Sequence, residues 1–143
     1  MKKILSIMFI FVLLTGCTEK VSTGISYFAG VADYLGDVNE FKSQIPQLTA
    51  GSLADSTTRD ELKTAITEMQ GDIDDFNSLV PPDELKSMHE SVVAKNETFD
   101  KKLQDSLTII ESGEKNASEI QTMISGSVIT EVINSLTDLN KEK

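Results

Sequence analysis

The chain has 143 residues, with 13 basic and 23 acidic side chains and a formal net charge of −10. Nucleic acid repels a surface this acidic, and a chain with no tryptophan and few other aromatic residues has little to stack on bases or sugars. A single cysteine rules out a disulfide within the chain. Composition therefore argues against a nucleic-acid-binding protein and against a disulfide-stapled scaffold.

The N-terminus has the pattern of an export signal. Lys2 and Lys3 precede an apolar run over residues 4–14, interrupted only by Ser6. As a helix this run is roughly 17 Å long, which is short of the ~20 residues that a membrane-spanning helix needs. Its length predicts a signal peptide and not a transmembrane anchor.

A lipobox follows the apolar run: Leu14-Thr15-Gly16-Cys17. An aliphatic residue and two small residues let a signal peptidase reach the bond before the cysteine, whose thiol accepts a diacylglyceryl group. A buried or stray thiol is the alternative interpretation, but an unpaired thiol is a liability outside the cytoplasm. We therefore predict a signal peptide at residues 1–16 and a single lipid-anchored domain at residues 17–143, on the extracytoplasmic face of the cell membrane.

Cleavage before Cys17 would remove two of the 13 basic residues and no acidic residue. The mature chain would keep 11 basic against 23 acidic residues, a formal charge of −12. Anionic lipid headgroups repel such a surface. The two acyl chains of the diacylglyceryl group, which suffice for stable anchoring, would hold the protein on the membrane.

Apolar residues recur at helical spacing along the mature chain, and no stretch alternates with the period of a strand. The first stripe predicts a helix over residues 20–44 that Pro46 ends. Its apolar positions are Val21, Ile25, Phe28, Val31, Leu35, Val38, Phe41 and Ile45. Tyr27 falls beside this stripe, and we interpret its ring as an exposed contact for a membrane or a partner.

Three more helices follow. Thr58 and Glu61 have the spacing of a capping box and predict the start of a helix that runs to Leu79, where Val80-Pro81-Pro82 breaks it. A third helix is expected from about residue 82 to a C-terminal cap at Gly113. The fourth begins near residue 116, and the Ser125-Gly126-Ser127 segment is expected to kink it or to split it in two. The pattern predicts an all-α antiparallel bundle of about four amphipathic helices.

Glu68, Asp72 and Asp75 share one face of the second predicted helix, and their carboxylates are candidate ligands for a hard cation such as Ca²⁺. They lack the turn glycine and the spacing of an EF-hand loop, so we interpret the face as solvated acidic surface. His89 is the single histidine, and we predict an exposed or half-buried polar role for it because no nucleophile or orienting partner lies at a useful spacing. We expect no catalytic residue and no cofactor.

Several residues carry a resemblance to a known family. They are Tyr34, the Val38-Asn39 pair, an Asp-Ile…Phe-Asn…Pro-Pro segment within residues 72–82, His89 and Asn96. Together with the lipobox, they make the chain similar to the small uncharacterised lipoproteins of Bacillus and its relatives, grouped as a domain of unknown function. The resemblance implies a Gram-positive host and the outer leaflet of the plasma membrane, and it implies no activity.

Three functional hypotheses follow. The first is a non-enzymatic interaction module that binds another envelope protein, because the first helix follows Cys17 without a long linker. The second is a lipoprotein that binds a small ligand or a cation through Glu68, Asp72 and Asp75. The third is a hydrolase built around His89.

Overall fold

The computed structural model describes residues 18–51, 53–113 and 117–143. The helices in these ranges are α1 (Thr18–Leu48), α2 (Ser56–Asn77), α3 (Lys86–Ser112), α4 (Ala117–Ile124) and α5 (Ser127–Asn140). A 3-10 turn at Asp83–Leu85 leads into α3, and these ranges contain no strand. Because α4 and α5 together form the fourth arm, the all-α bundle of four arms is confirmed. The predicted signal peptide and the lipobox lie outside the described residues.

The core follows one spacing in α1, α2 and α3. Buried residues in each of these helices recur after four and then three positions, which is the heptad pattern of packed, nearly parallel helices. In α1 the buried positions are Tyr27, Val31, Tyr34, Val38, Phe41 and Ile45; in α2 they are Leu62, Ile66, Met69, Ile73 and Phe76. In the turn before α3 and in α3 itself they are Leu85, His89, Val92, Asn96, Phe99, Leu103, Ser106 and Ile110.

The four arms form a closed ring in which neighbours run antiparallel. Contacts join α1 to α2, α2 to α3, α3 to α4 and α5, and α5 back to α1. Gln70 of α2 donates to Asp100 of α3 at 2.6 Å, and Lys42 of α1 donates to Thr130 of α5 at 3.1 Å. As a result α1 and α3 lie on a diagonal and run in the same direction. Within the described ranges, no helix is both long enough and apolar enough to cross a bilayer.

The sequence prediction for the end of α1 is wrong, because Pro46 lies inside the helix, which continues to Leu48. A proline lacks one N–H, so at this place it removes one hydrogen bond from the last turn and leaves the earlier turns intact. Ile45 is fully buried before it and holds the backbone in the helix. Thr49 then ends α1, donating from both its backbone N–H and its hydroxyl to the Ile45 carbonyl, at 3.0 and 2.7 Å.

The predicted capping box at Thr58 is also wrong, because α2 begins at Ser56 and Asp55 is its N-cap. The Asp55 carboxylate accepts from the Thr58 backbone N–H at 3.2 Å and from the Thr58 hydroxyl at 3.1 Å. These hydrogen bonds lower the pKa of Asp55. Aspartate at this position satisfies a free N–H as well as threonine would, so residue type alone does not decide between the two starts.

The fourth arm is split at Ser125-Gly126, between α4 and α5, which is one of the two alternatives, a kink or a split, that the sequence predicted. The buried residues explain the split. Ile120 and Ile124 belong to one heptad frame, which would place the next buried residue at position 127, but the next buried residue is Ile129, two positions later. An interruption in the helix resets the frame, so that α5 again places its apolar face on the core.

Replacing either of two glycines by alanine should change the stability of the fold, in opposite directions. Gly113 caps α3 with φ of 78°, as predicted, whereas Gly36 lies in mid-helix with no atom within 4 Å of the place where a Cβ would stand. We expect Gly113→Ala to destabilise the fold by about 1–2 kcal/mol, because a Cβ disfavours the left-handed conformation. Gly36→Ala should stabilise it by about 0.5–1 kcal/mol. Urea unfolding of both variants measures the difference, and equal effects would contradict the cap.

Candidate functional site

His89 is buried, which corrects the prediction of an exposed or half-buried residue. It is 5% exposed, and its Nδ1 lies 3.1 Å from the Tyr27 hydroxyl. The ring stacks on Phe76 at a centroid distance of 4.9 Å and meets the edge of Tyr27 at 5.7 Å. Because burial disfavours the charged imidazolium, the pKa of His89 is lowered from 6.5, against a smaller opposing effect of Glu90.

Tyr27 is buried as well, at 2% exposure, so the prediction of an exposed aromatic contact is wrong. It occupies the heptad position that the sequence prediction gave to Phe28, which is only partly buried. Burial raises the pKa of the Tyr27 phenol to about 12. The hydroxyl therefore keeps its proton at neutral pH and is available to the imidazole nitrogen of His89.

A second polar contact lies two helical turns further along the same two helices. The Tyr34 hydroxyl donates to Asn96 Oδ1 at 2.7 Å, and Asn96 Nδ2 donates to Asn77 Oδ1 at 2.9 Å. Asn96 is fully buried, and the Tyr34 ring stacks on Phe76 at 4.7 Å. Burial, assisted by the nearby Asp72 carboxylate, raises the pKa of Tyr34.

These contacts form one group, which we call the aromatic–polar cluster. It contains Tyr27 and Tyr34 of α1, Phe76 and Asn77 of α2, and His89 and Asn96 of α3. Phe76 lies at its centre, with the Tyr34 ring and the His89 ring stacked on it. Buried polar groups cost free energy unless they are hydrogen-bonded, and here they are partnered across the diagonal of the bundle.

The cluster orders the core and offers little to a substrate. Its one titratable base, His89, is held by Tyr27 and covered by Phe76, and burial keeps the imidazole neutral. Sequence reasoning missed the cluster because it searched for apolar stripes. The usable signal was the seven-residue spacing that Tyr27 shares with Tyr34 and that His89 shares with Asn96, which places each pair on one helix face.

The candidate cation ligands are only partly brought together. Glu68 and Asp72 line a groove of about 200 Å³ between α1 and α2, opposite Asp37 and Glu40. Asp75 is exposed outside that lining. In the described part of the chain, no three His, Cys, Asp or Glu side chains converge as a metal site would require.

The groove carries uncompensated negative charge. Burial raises the pKa of Asp72, and the carboxylates of Asp37, Asp75 and Glu68 raise it further. The pKa of Asp37 is likewise raised by burial and then by the charges of Asp33 and Glu40. Like charges held close together disfavour ionisation, so the groove destabilises the folded chain at neutral pH.

A double-mutant cycle tests the second polar contact. Tyr34→Phe leaves the Asn96 oxygen buried without its donor, and we expect a loss of about 1–3 kcal/mol in the free energy of unfolding. The double variant Tyr34→Phe/Asn96→Leu replaces both partners by apolar groups and should cost less than the sum of the single changes. Additive costs in urea titrations would mean that the two side chains do not act together.

The lowered pKa of His89 gives stability a pH dependence. The unfolded chain binds the histidine proton at the ordinary pKa of 6.5, and the folded chain binds it only at lower pH. The contribution of neutral His89 is therefore complete above 6.5 and is lost as pH falls from there through the folded pKa. Denaturation at about pH 7.5 and about pH 5.5, on either side of the ordinary histidine value, should show this loss.

The matched control is His89→Phe, which keeps an aromatic ring on Phe76 and removes the chain's single titrating imidazole. Subtracting its pH profile removes the contribution of the carboxylates. The raised pKa values of Asp37 and Asp72 act in the opposite direction, adding stability as pH falls towards them. If the variant lost as much stability as the parent over this interval, the loss would not come from His89.

Comparisons with known proteins relate the chain to a family and to a relative that have no assigned activity. It is 28% identical over 106 residues to "Uncharacterized lipoprotein YybP" of Bacillus subtilis (strain 168), which covers 74% of this chain and 72% of the relative. No solved structure matches it significantly. The model of a family of unknown function, DUF6376, matches residues 27–142, which include every member of the aromatic–polar cluster. The chain belongs to the DUF6376 family.

Proposed function

We propose that the chain is a lipoprotein held on the extracytoplasmic face of a Gram-positive cell membrane through a diacylglyceryl group on Cys17. The lipobox residues Leu14, Thr15 and Gly16 support cleavage before Cys17, which would leave residues 17–143 as the mature domain. The similarity to a protein called a lipoprotein supports the same anchor.

The bundle is proposed to act as a non-enzymatic module that binds another envelope protein. The observation that carries this proposal is the start of α1 at Thr18, directly after Cys17. A helix that begins beside its anchor gives the domain no long linker, so its partners would be proteins at the membrane surface. The role of His89 in the core supports a non-enzymatic function, because the chain's single histidine is committed to Tyr27 and Phe76.

Binding of a small ligand or a cation is the second hypothesis. Glu68 and Asp72 support it best, because they share a groove with Asp37 and Glu40 and lack a compensating charge there. Calorimetry with Ca²⁺ distinguishes the two hypotheses. A flat response would remove the cation hypothesis and leave the interaction module untouched.

Cys17→Ala tests the anchor. We expect the variant to lose the lipid and leave the membrane fraction, because the thiol is the acceptor of the diacylglyceryl group. The bundle should still fold, since the buried residues that the structure describes in α1 extend from Tyr27 to Ile45. Mass spectrometry of the N-terminal peptide, detergent-free fractionation and circular dichroism measure the three outcomes.

Thr18→Ala is the matched control, because it changes the neighbouring residue and leaves the thiol in place. It should keep both the lipid and membrane retention. A Cys17→Ala protein that remained in the membrane fraction would contradict the lipid anchor. Site-specific photocrosslinking on intact membranes then tests the interaction module, which fails if exposed positions yield no reproducible partner.

A further inference from the structure

One end of the bundle lies closest to Cys17, and we call it the proximal end. It comprises the start of α1, the α2–α3 connection with the first residues of α3 (78–88), and the C-terminal residues 138–143. A Cβ on Gly30 of α1 would lie 2.8 Å from Leu79, which places this connection beside the early turns of α1. Lys95 of α3 donates to Ser135 at 2.8 Å, and from there α5 runs back towards the same end.

The proximal end carries the exposed hydrophobic residues. Among residues whose burial the structure describes, Ile25 and Val80 are the large hydrophobic side chains that are exposed, at 68% and 72%. Single exposed hydrophobics need no explanation. Here, however, Ile25 lies five residues before Gly30 and Val80 directly follows Leu79, so both fall at the end that leads to Cys17.

The same end is almost uncharged overall. Residues 78–88 and 138–143 carry three basic and four acidic side chains, Lys86, Lys141 and Lys143 against Asp83, Glu84, Asp138 and Glu142. The formal charge of these segments is −1, whereas the rest of the mature chain has 8 basic and 19 acidic residues and a charge of −11. An anionic membrane surface therefore repels the sides and the far end of the bundle much more than the proximal end.

Distance along α1 fits a contact with the headgroups. Ile25 follows Thr18 by seven residues, or about 10 Å of helix. The headgroup layer of one leaflet is about 5–8 Å thick, which is half the difference in thickness between the whole bilayer and its hydrocarbon core. Val80 follows Leu79, which packs at the level of Gly30, twelve residues or about 18 Å of helix beyond Thr18. In a bundle attached through Cys17, Ile25 therefore lies near the outer boundary of that layer, and a tilt of α1 is needed to bring Val80 down to it.

We propose that the proximal end of the bundle rests on the lipid surface, with α1 tilted so that Ile25 and Val80 lie among the headgroups and the far end is directed away from the membrane. This inference rests on the proposed Cys17 anchor. It assigns an orientation to the domain and leaves the far end, with the connection at residues 49–55, as the surface presented to proteins.

The test uses tryptophan as a reporter, because the chain contains none. Ile25→Trp and Val80→Trp are introduced separately, and Ala50→Trp at the far end is the matched control, exposed in its connection. Each full-length mature protein is attached through Cys17 to vesicles of phosphatidylglycerol and phosphatidylcholine. Attachment uses the native lipid on Cys17. If cells leave this thiol free, a maleimide lipid is coupled to it instead, and the coupling is specific because the chain has a single cysteine.

We expect a blue shift of emission and quenching by brominated phosphatidylcholine for the Ile25→Trp and Val80→Trp proteins, and neither effect for Ala50→Trp. Tryptophan favours the membrane interface, so a reporter held there responds directly. Equal melting temperatures of the three proteins would show that the fold is intact. We expect them to be equal because all three substituted positions are exposed.

Other outcomes overturn the inference. The inference fails if the tryptophans at positions 25 and 80 show no blue shift or quenching. It also fails if the control tryptophan at position 50 responds as strongly as they do, because the bundle would then lie flat on the membrane. A blue shift without vesicles that grows with protein concentration would mean that a second copy covers this end. The anchor is judged separately, by the mass of the N-terminal peptide, so either proposal can fail without the other.

Discussion

The core of this protein depends on one constraint, that polar groups placed in a heptad frame must find partners inside the bundle. Tyr27 with His89 and Tyr34 with Asn96 meet this constraint, and the two pairs have the same sequence separation, 62 residues. The register of α1 against α3 is therefore specified twice. A slide of one heptad would keep apolar residues against apolar residues, but it would bring Tyr27 to Asn96 and leave His89 and Tyr34 without these partners.

Phe76 links α2 to the hydrogen-bonded pairs between α1 and α3. Its ring is stacked on Tyr34 and on His89, and the next residue, Asn77, accepts from Asn96. The C-terminal end of α2 is thus positioned by the same side chains that align α1 with α3. The opposite half of α2 is held differently, by Leu62, Ile66 and Met69 in an apolar core, so the polar pairing is concentrated in the half of the bundle near the start of α1.

The sequence predicted the fold class, an interruption of the fourth arm and the Gly113 cap because each follows from local periodicity or from one backbone conformation. It did not predict the burial of Tyr27 or His89, since an apolar stripe gives no weight to polar aromatic residues. Extending the four-and-three spacing of buried positions backwards, from Val31 in α1 and from Val92 in α3, leads to Tyr27 and His89 respectively. The place of Pro46 inside α1 and the cap at Asp55 were not predicted, because a helix could equally end before Pro46 and Thr58 could equally cap α2. Burial of Ile45 and Leu53 in the core decides where α1 ends and α2 begins.

The 31-residue α1 extends over about 46 Å, longer than any other helix in the described ranges. Its contacts with α2 and α5 run along its sides, and its polar pairs with α3 lie across the core. A force applied to its N-terminal end and opposed at the far end of the bundle would act parallel to these interfaces. The contacts would then share the load in shear, instead of opening one after another as in peeling. The geometry of α1 thus makes the bundle mechanically resistant along its own long axis.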